Sequence, residues 1–153
     1  MANGLKQNLR DRDAVETQEG LIFRVYGYTH PPDGYICDVE YAPEPIYKSA
    51  DPRAFRAKEG KVYYKFYSDE GLRFVGERYP QYGVWYAPLQ TRLVGVSHNQ
   101  IQQTVKPQEM FQCLLKQQPR DSLLKALHKL SELIFQVSGL SETDFGVFGS
   151  LLQ

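Results

Sequence analysis

Hydrophobic and polar positions alternate along the first two thirds of the chain with the two-residue period of β-strands. Apolar and β-branched runs at 20–29 and 61–67 predict two strands, and the runs 84–86 and 92–96 predict two short ones. The alternation is clearest at 35–41, where one side carries Tyr35, Cys37, Val39 and Tyr41 and the other carries Ile36, Asp38 and Glu40. We therefore predict a mainly antiparallel, tyrosine-rich sheet in which 35–41 pairs with 20–29 as a hairpin.

A helical period replaces this alternation near residue 105. Pro107 suits the first position of a helix, which Pro119 ends. Asp121 or Ser122 begins a longer helix, and Gly139 is placed to cap its C-terminus. Apolar residues of this helix recur every three or four positions and share one face: Leu123, Leu127, Leu130, Ile134 and Val137. The second part of the chain is therefore predicted to be mainly helical.

Two further elements complete the predicted architecture. A short helix is predicted at 68–78 and a short strand at 145–148. The fold class is α+β, with a β-rich domain over residues 1–105 and, over residues 106–153, a helical segment followed by that strand. We expect the chain to end within a motif, because no following domain accompanies the last predicted strand.

Composition and charge restrict the classes of partner that the chain can bind. The 18 Lys and Arg residues balance the 18 Asp and Glu residues, so a nucleic acid could be bound only through a local patch. The N-terminal stretch has no apolar signal core, and no run approaches the ~18 apolar residues of a membrane span. We therefore expect a cytoplasmic protein with no membrane partner. Cys37 and Cys113 lie far apart without metal-ligand spacing, which predicts reduced, buried thiols.

Few residues form arrangements that catalysis requires. Asp38 and Glu40 fall on one side of a predicted strand, where two carboxylates could share a cation. Because exposed strand faces are usually polar and no third carboxylate is identifiable, we interpret the pair as a solvated face and assign no metal ligand. Ser150 lacks the outer glycines of a nucleophile elbow. No catalytic residue is assigned, and none comes from the three separated histidines, His30, His98 and His128.

Tyrosines alternate with basic residues in several predicted strands. Sheets hold single-stranded nucleic acid through aromatic stacking combined with cations. Packed, half-buried sheets contain the same residue types, and no RNA-binding consensus string accompanies them here. Both interpretations stay open for this set: Tyr26, Tyr28, Tyr63, Tyr64, Tyr67 and Tyr86, with Arg24, Lys61 and Lys65.

The run that ends in Gly149 and Ser150 carries a further signal. A strand that delivers Gly-Ser into a helix start exposes backbone amides and a hydroxyl to which a phosphate can approach closely. The run closes the segment SGLSETDFGVFGSLL. Together with RDRDAVETQEGLIFRVYGYTHPP, CDVEYAP and KVYYKFYSDEGL, this segment resembles a family of predicted nucleotidyltransferases, found largely in archaea, of the DNA polymerase beta superfamily.

This resemblance implies a specific site. The palm of that superfamily opens with a hydrophobic-Gly-Ser motif, which matches Phe148, Gly149 and Ser150. Gly149 and Ser150 would then bind nucleotide phosphates on the first strand of a truncated palm. The family places an Asp-x-Asp or Asp-x-Glu pair and a third carboxylate after this motif to hold two Mg²⁺ ions. An NTP and Mg²⁺ are thus implied as cofactors, with a site that is incomplete in this chain.

Three functional hypotheses follow. The first is the N-terminal region of a nucleotidyltransferase that is inactive by itself because the metal-binding carboxylates are absent, which leaves the question of enzymatic activity open. The second is a nucleic-acid or protein binding module without catalytic activity. The third is an oligomerisation domain that uses the apolar helix face. The corresponding partners are a nucleotide, a nucleic acid and a second copy of the chain.

Overall fold

The computed structural model describes residues 8–58 and 60–149. The chain forms two compact units, and the boundary between them falls between Thr104 and Val105. Among the described residues, eight strands form an antiparallel sheet that is accompanied by three α-helices. The predicted α+β class with a mainly antiparallel sheet is therefore confirmed.

All eight strands begin in the first unit. They are β1 (Ala14–Thr17), β2 (Ile22–Val25), β3 (Gly34–Pro43), β4 (Phe55–Lys58), β5 (Lys61–Lys65), β6 (Gly83–Tyr86), β7 (Thr91–Ser97) and β8 (Ile101–Val105). The sequence pattern did not predict β1, β4 and β8. These strands are short, and at least half of the residues in each are polar, so local alternation gives little signal and pairing with neighbours decides their conformation.

Strand β3 is the centre of the sheet, which runs in the order β4-β5-β3-β2-β1-β8. One edge of β3 pairs with β2. The other edge pairs with β7 through its first residues, Gly34 to Ile36, and with β5 through its last, Tyr41 to Pro43. Strand β6 joins through β7. The ten residues of β3 are therefore long enough to hold three neighbouring strands.

A bulge interrupts the pairing of β2 with β3. Phe23 lies opposite Val39, whereas the preceding Ile22 lies opposite Tyr41, so Glu40 is an extra residue. Neighbouring residues of β2 point to opposite faces of the sheet and cross-strand partners share a face. Val39 and Tyr41 therefore lie on opposite faces. The predicted placement of Tyr41 on one face with Tyr35, Cys37 and Val39 is wrong, because simple alternation cannot register the inserted residue.

One face of this sheet forms the core of the first unit. Helix α1 (Glu70–Arg78) packs on it through Phe74 and Val75. An added Cβ on Gly71 would lie 2.7 Å from Val39 Cγ1 and 2.8 Å from the Val39 carbonyl oxygen, so the helix backbone lies directly against β3. The other buried members of this core face include Val15, Phe23, Val25, Tyr35, Cys37, Phe66, Tyr82 and Val96.

The second unit contains α2 (Pro107–Lys116) and α3 (Ser122–Ser138). The Asp121 carboxylate caps α3 by accepting from the Leu124 amide at 2.8 Å, and Gly139 ends it with φ of 69°. The predicted caps are therefore confirmed. Three aromatic rings from α2, α3 and the following segment pack together with centroids 5.9 to 6.4 Å apart: Phe111, Phe135 and Phe145.

The predicted strand at 145–148 is wrong, since this segment has no strand conformation. Val147 is 7% exposed, and its amide donates to the Pro107 carbonyl at 3.0 Å. Phe145 belongs to the aromatic cluster. The apolar residues of this segment therefore serve packing against α2 and α3, which an apolar run alone does not distinguish from a strand.

Helix α3 packs within its unit through a side that includes only part of the predicted apolar face, since Leu127 and Ile134 of that face are half-buried. Leu124 and Ser131 are buried, at 7% and 4% exposed. Leu123, Leu130 and Val137 are 54%, 56% and 85% exposed. The predicted apolar face of this helix is therefore mostly open.

Two glycines of α1 provide a matched test of how closely the helix lies against β3. Gly71→Ala is expected to lower the free energy of unfolding by roughly 1–3 kcal/mol, because the new methyl group collides with Val39. Gly76→Ala has open space around its Cβ and is expected to raise that free energy by up to about 1 kcal/mol through helix propensity. Urea unfolding of both variants measures the difference. Equal effects would contradict the described packing.

Candidate functional site

The face of the sheet opposite α1 is rich in charged and aromatic side chains. Register defines its members, because cross-strand partners share a face: Arg24 lies opposite Asp38, and Tyr41 lies opposite Lys65. On the next strands, Arg56 lies opposite Tyr63 and Lys58 opposite Lys61. We call this surface the polar face, with Arg24, Asp38, Tyr41, Arg56, Lys58, Lys61, Tyr63 and Lys65.

The β4–β5 hairpin concentrates positive charge on the polar face. Four of its basic residues share that face because they sit at alternate positions of two paired strands: Arg56, Lys58, Lys61 and Lys65. Tyr63 lies between Lys61 and Lys65 on β5. Lys58 and Lys61 are exposed, and no described residue forms an ion pair with either. A chain with no formal net charge thus has a local cationic stripe, which is the local patch that binding of a nucleic acid to such a chain requires.

Glu40, the bulge residue, forms ion pairs with two basic residues of the polar face. Its side chain is buried, and Oε1 lies 3.7 Å from Arg24 Nη1 and 3.6 Å from Lys65 Nζ. Burial acts to lower the pKa of Arg24, but Glu40, Tyr26 and Asp38 together outweigh burial and raise that pKa. One buried carboxylate therefore holds two cations of neighbouring strands in place.

Tyr26, directly after β2, extends the polar face. Its hydroxyl donates to Asp38 Oδ2 at 3.2 Å and accepts from Arg24 Nη2 at 3.4 Å. The Arg24 guanidinium also lies 5.4 Å from the centre of the Tyr26 ring. Burial raises the pKa of Asp38, while the Tyr26 hydrogen bond and Arg24 oppose the shift. The ring remains 42% exposed, so it is oriented by these contacts and still accessible.

Lys65 connects the buried carboxylate to two tyrosine rings. Its Nζ lies 5.8 Å from the ring centre of Tyr41 and 5.7 Å from that of Tyr67. The Tyr41 side chain is almost completely buried, and burial together with the charge of Glu40 raises its pKa to about 12. Lys65 is thus committed to internal contacts, which leaves Lys58 and Lys61 as the accessible cations of the stripe.

Backbone carbonyls orient Arg56, the arginine of the stripe. Arg56 Nη1 donates to the carbonyl oxygens of Arg53 and Phe55, each at 2.7 Å. Arg53 itself is paired with Asp51, with Nη2 to Oδ2 at 2.7 Å, and its guanidinium stacks 5.1 Å from the Tyr67 ring centre. Arg56 is therefore held at the polar face, and no carboxylate of the described residues forms an ion pair with it.

A groove of about 600 Å³ adjoins the hairpin end of the polar face. Lys61 and Tyr63 line its near side. Three carboxylates line it as well, Glu16, Glu19 and Glu44, and the Tyr82 hydroxyl donates to Glu19. The acidic lining would repel a polyanion, so a negatively charged ligand is expected along the cationic stripe and not inside the groove.

The predicted phosphate-binding pair is only partly described. Gly149 has φ of 70°, which suits glycine, and nothing lies within 4 Å of an added Cβ. Ser150 lies outside the described residues. The preceding run is not a strand, so the palm geometry that the resemblance implies is not present over residues 145–148.

A magnesium site does not fit the residues that the structure describes. Over 8–58 and 60–149, no group of three or more His, Cys, Asp and Glu residues could hold a metal ion. Asp38 is bonded to Tyr26, and Glu40 is paired with two cations. The interpretation of Glu40 as solvated is wrong, because the bulge and its two cationic partners bury it.

The histidines do not form one site. His30 and His98 flank the Tyr35 ring with centroids 5.2 and 5.0 Å away, whereas His128 Nε2 lies 3.0 Å from the Leu114 carbonyl oxygen in the second unit. Burial lowers the pKa of His30.

The two cysteines differ in exposure. Cys37 is buried, which raises its pKa to about 12. Cys113 is exposed, so the expectation of two buried thiols is wrong for Cys113.

Sequence reasoning found part of the polar face and missed the rest. Arg24, Lys61, Lys65, Tyr26 and Tyr63 are predicted by the sequence, and Tyr67 contacts Lys65 from beyond the end of β5. Tyr64 belongs to the opposite face because it pairs with Ala42. Arg56 and Lys58 were missed because β4 was not predicted. Their alternate spacing in FRAK, mirrored by KVYYK across Gly60, was the available signal.

Comparisons with known proteins give no relative for this chain. No protein-family model matches it, and neither does any curated protein or solved structure. The resemblance to nucleotidyltransferases stays a prediction.

Among the described residues, no helix is both long and apolar enough to cross a membrane.

The buried position of Glu40 can be tested with one isosteric change. Glu40→Gln leaves Arg24 and Lys65 without their shared counter-charge and is expected to lower the free energy of unfolding by roughly 1–3 kcal/mol. Glu44→Gln is the control, because Glu44 pairs with Lys48 at the surface and its loss should change stability by less than about 0.5 kcal/mol. Equal effects in urea unfolding would show that Glu40 does not hold the two cations.

Proposed function

We propose that this protein binds single-stranded nucleic acid along the polar face. The observation that carries the proposal is the cationic stripe of the β4–β5 hairpin, in which Arg56, Lys58 and Lys61 share one face with Tyr63. A chain with no net charge gains affinity for a polyanion only where its cations are gathered in this way.

In this proposal the side chains have different tasks. Exposed Lys58 and Lys61 would bind phosphates, and Arg56, already oriented by two carbonyls, would add a third cation. Tyr63 and Tyr26 offer rings on which bases could stack. Glu40 and Lys65 would act indirectly by keeping the supporting residues in position.

A single strand fits this surface better than a duplex. Bases can stack on aromatic rings only when they are unpaired or splayed from their neighbours. The aromatic residues lie on the sheet between the basic positions and not on a projecting helix that would enter a groove. Binding is therefore expected to be tolerant of sequence and sensitive to salt.

The phosphate contacts are tested by Lys58→Ala combined with Lys61→Ala. We expect weaker binding of a fluorescent single-stranded oligonucleotide and a salt dependence whose log–log slope falls by about 1.4, since each phosphate contact on a single strand contributes about 0.7. The control is Lys48→Ala with Arg73→Ala, which removes the same charge from surface ion pairs elsewhere. Equal losses in both variants would indicate a general charge effect and overturn the proposed surface.

Stacking is tested at Tyr63. Tyr63→Ala is expected to weaken oligonucleotide binding by roughly 1–3 kcal/mol, whereas Tyr63→Phe retains the ring and most of the affinity. Tyr28→Ala is the matched control, because Tyr28 is 76% exposed and lies outside the polar face. Affinity that is unchanged in Tyr63→Ala, measured by anisotropy at constant salt, would exclude stacking at this position.

The ligand that binds distinguishes the nucleotidyltransferase hypothesis from the proposed binding of single-stranded nucleic acid. A parallel titration with ATP and Mg²⁺ distinguishes the two functions: nucleotide binding that is lost in Ser150→Ala would favour the palm suggested by the resemblance. Oligonucleotide binding that survives Ser150→Ala and fails in the Lys58/Lys61 variant would favour the polar face.

A further inference from the structure

The His30 side chain completes the hydrogen bonding of β3 where its pairing with β2 ends. One position beyond the pair of Val25 and Cys37, the Tyr26 amide donates to the Ile36 carbonyl at 3.0 Å. An antiparallel pair of this kind normally exchanges a second bond, from the Ile36 amide back to the Tyr26 carbonyl. The Ile36 amide instead donates to His30 Nδ1 at 3.3 Å. A side-chain nitrogen therefore takes the place of a backbone acceptor.

This hydrogen bond requires a neutral ring. A nitrogen accepts an amide proton only when it carries no proton itself, so the single proton of neutral His30 lies on Nε2. The Nε2 atom is buried and has no hydrogen-bond partner among the described residues. A proton added to Nδ1 would remove the acceptor of the Ile36 amide and place two N–H groups against each other. Protonation of His30 and its bond to β3 thus exclude each other.

The surroundings of the ring disfavour its charged form. The Tyr35 ring packs edge-on against it with the centroids 5.2 Å apart, and His98 packs on Tyr35 at 5.0 Å. Burial lowers the pKa of His30 from its ordinary value of 6.5, and the Gly27 backbone opposes this shift only in part. Burial therefore sets the direction of the shift. The charged and titratable groups of the neighbouring elements are Asp11, Arg12 and Asp13 before β1, Arg24 of β2, Tyr26, Tyr28 and Asp33 of the loop, Tyr35, Cys37 and Asp38 of β3, and His98 after β7.

We propose that His30 is a pH-dependent switch, in which the neutral imidazole holds residues 28–31 against β3 and the protonated imidazole releases them. The proposal rests on the bond to Ile36, which only the neutral ring can accept. It does not depend on the nucleic-acid function of the polar face.

Both ends of the released segment stay attached to the rest of the unit. Before it, the Gly27 amide donates to Asp11 Oδ1 at 2.7 Å. After it, the His98 amide donates to the Asp33 carbonyl at 3.1 Å, and His98 Nε2 lies 3.2 Å from the Pro32 carbonyl. A proton on that nitrogen is present in the charged ring as well, so protonation of His98 does not break this contact. The response is therefore local to the residues around His30.

The lowered pKa fixes the direction of the response. A released imidazole is solvated and has the ordinary pKa of 6.5, so it binds a proton more readily than the buried ring. Above that pH both forms are neutral, and the hydrogen bond to Ile36 favours the buried position. As the pH falls below 6.5, proton uptake by the released ring shifts the equilibrium toward release until the pKa of the buried ring is passed. The segment is therefore expected to open in mild acid.

Nuclear magnetic resonance of the full ¹⁵N-labelled chain, between about pH 7.5 and pH 5, tests the switch. At the upper limit the His30 ring is expected to be neutral with its proton on Nε2. Toward the lower limit, protection of the Ile36 amide against hydrogen exchange, corrected for the intrinsic exchange rate, should fall by more than about threefold. The Phe66 amide, which donates to the Glu40 carbonyl at 3.0 Å, is the internal reference and should keep its protection.

Three substitutions separate His30 from the other groups that titrate. His30→Asn places an amide oxygen near the position of Nδ1, so the Ile36 amide keeps an acceptor at every pH and its protection relative to Phe66 should stay constant. Asp38→Asn removes the neighbouring carboxyl, whose pKa is raised by burial, and should retain the response of the unaltered chain. His128→Asn, in the second unit, should retain it as well.

Any of three results would overturn the proposal. They are a neutral His30 ring that carries its proton on Nδ1, an Ile36 amide whose protection relative to Phe66 does not change with pH, and a His30→Asn chain that responds to pH as the unaltered chain does. The first two are measured on the unaltered chain, so they decide the proposal even where a variant fails to fold.

Discussion

The pairing of β3 on both of its edges is the constraint on which the first unit depends. β3 binds β2 along one edge and both β7 and β5 along the other, so a shift of its register would move three strands at once. The inserted Glu40 adds a second requirement, because a buried carboxylate is tolerated only with cations beside it. Arg24 and Lys65 supply them from the two strands that flank this part of β3.

The same bulge changes the face of the sheet to which the residues of β3 point. Before it, the odd-numbered residues of β3 point into the core under α1; after it, Tyr41 moves to the opposite face beside Lys65. Glu40 pairs with Arg24 and Lys65 at the centre of that face. Lys58 and Lys61, at its edge, are exposed and form no ion pair with a described residue. Lys65 and Lys61 of the same strand therefore differ, because Lys65 is paired with the buried Glu40, whereas Lys61 is exposed and is one of the cations to which we attribute the proposed phosphate contacts.

The second unit shows a related division on a single helix. One side of α3 packs with α2 around Phe111 and Phe135, and another side exposes Leu123, Leu130 and Val137. Ser131, whose hydroxyl donates to the Leu127 carbonyl at 2.7 Å, is buried together with Leu124, so the inner side tolerates a polar group.

Local patterns in the sequence determined the α+β class, the caps of α3 at Asp121 and Gly139, and the long strands, because caps and alternation depend only on neighbouring residues. Tertiary structure alone decided the short strand β4, the face of Tyr41 and the side of α3 that packs. Each depends on a partner outside its own segment: β4 on pairing with β5, Tyr41 on the bulge opposite Ile22, and α3 on the aromatic rings it meets. Half of the cationic stripe was hidden for the same reason, since Arg56 joins Lys61 on one face only after the hairpin has formed.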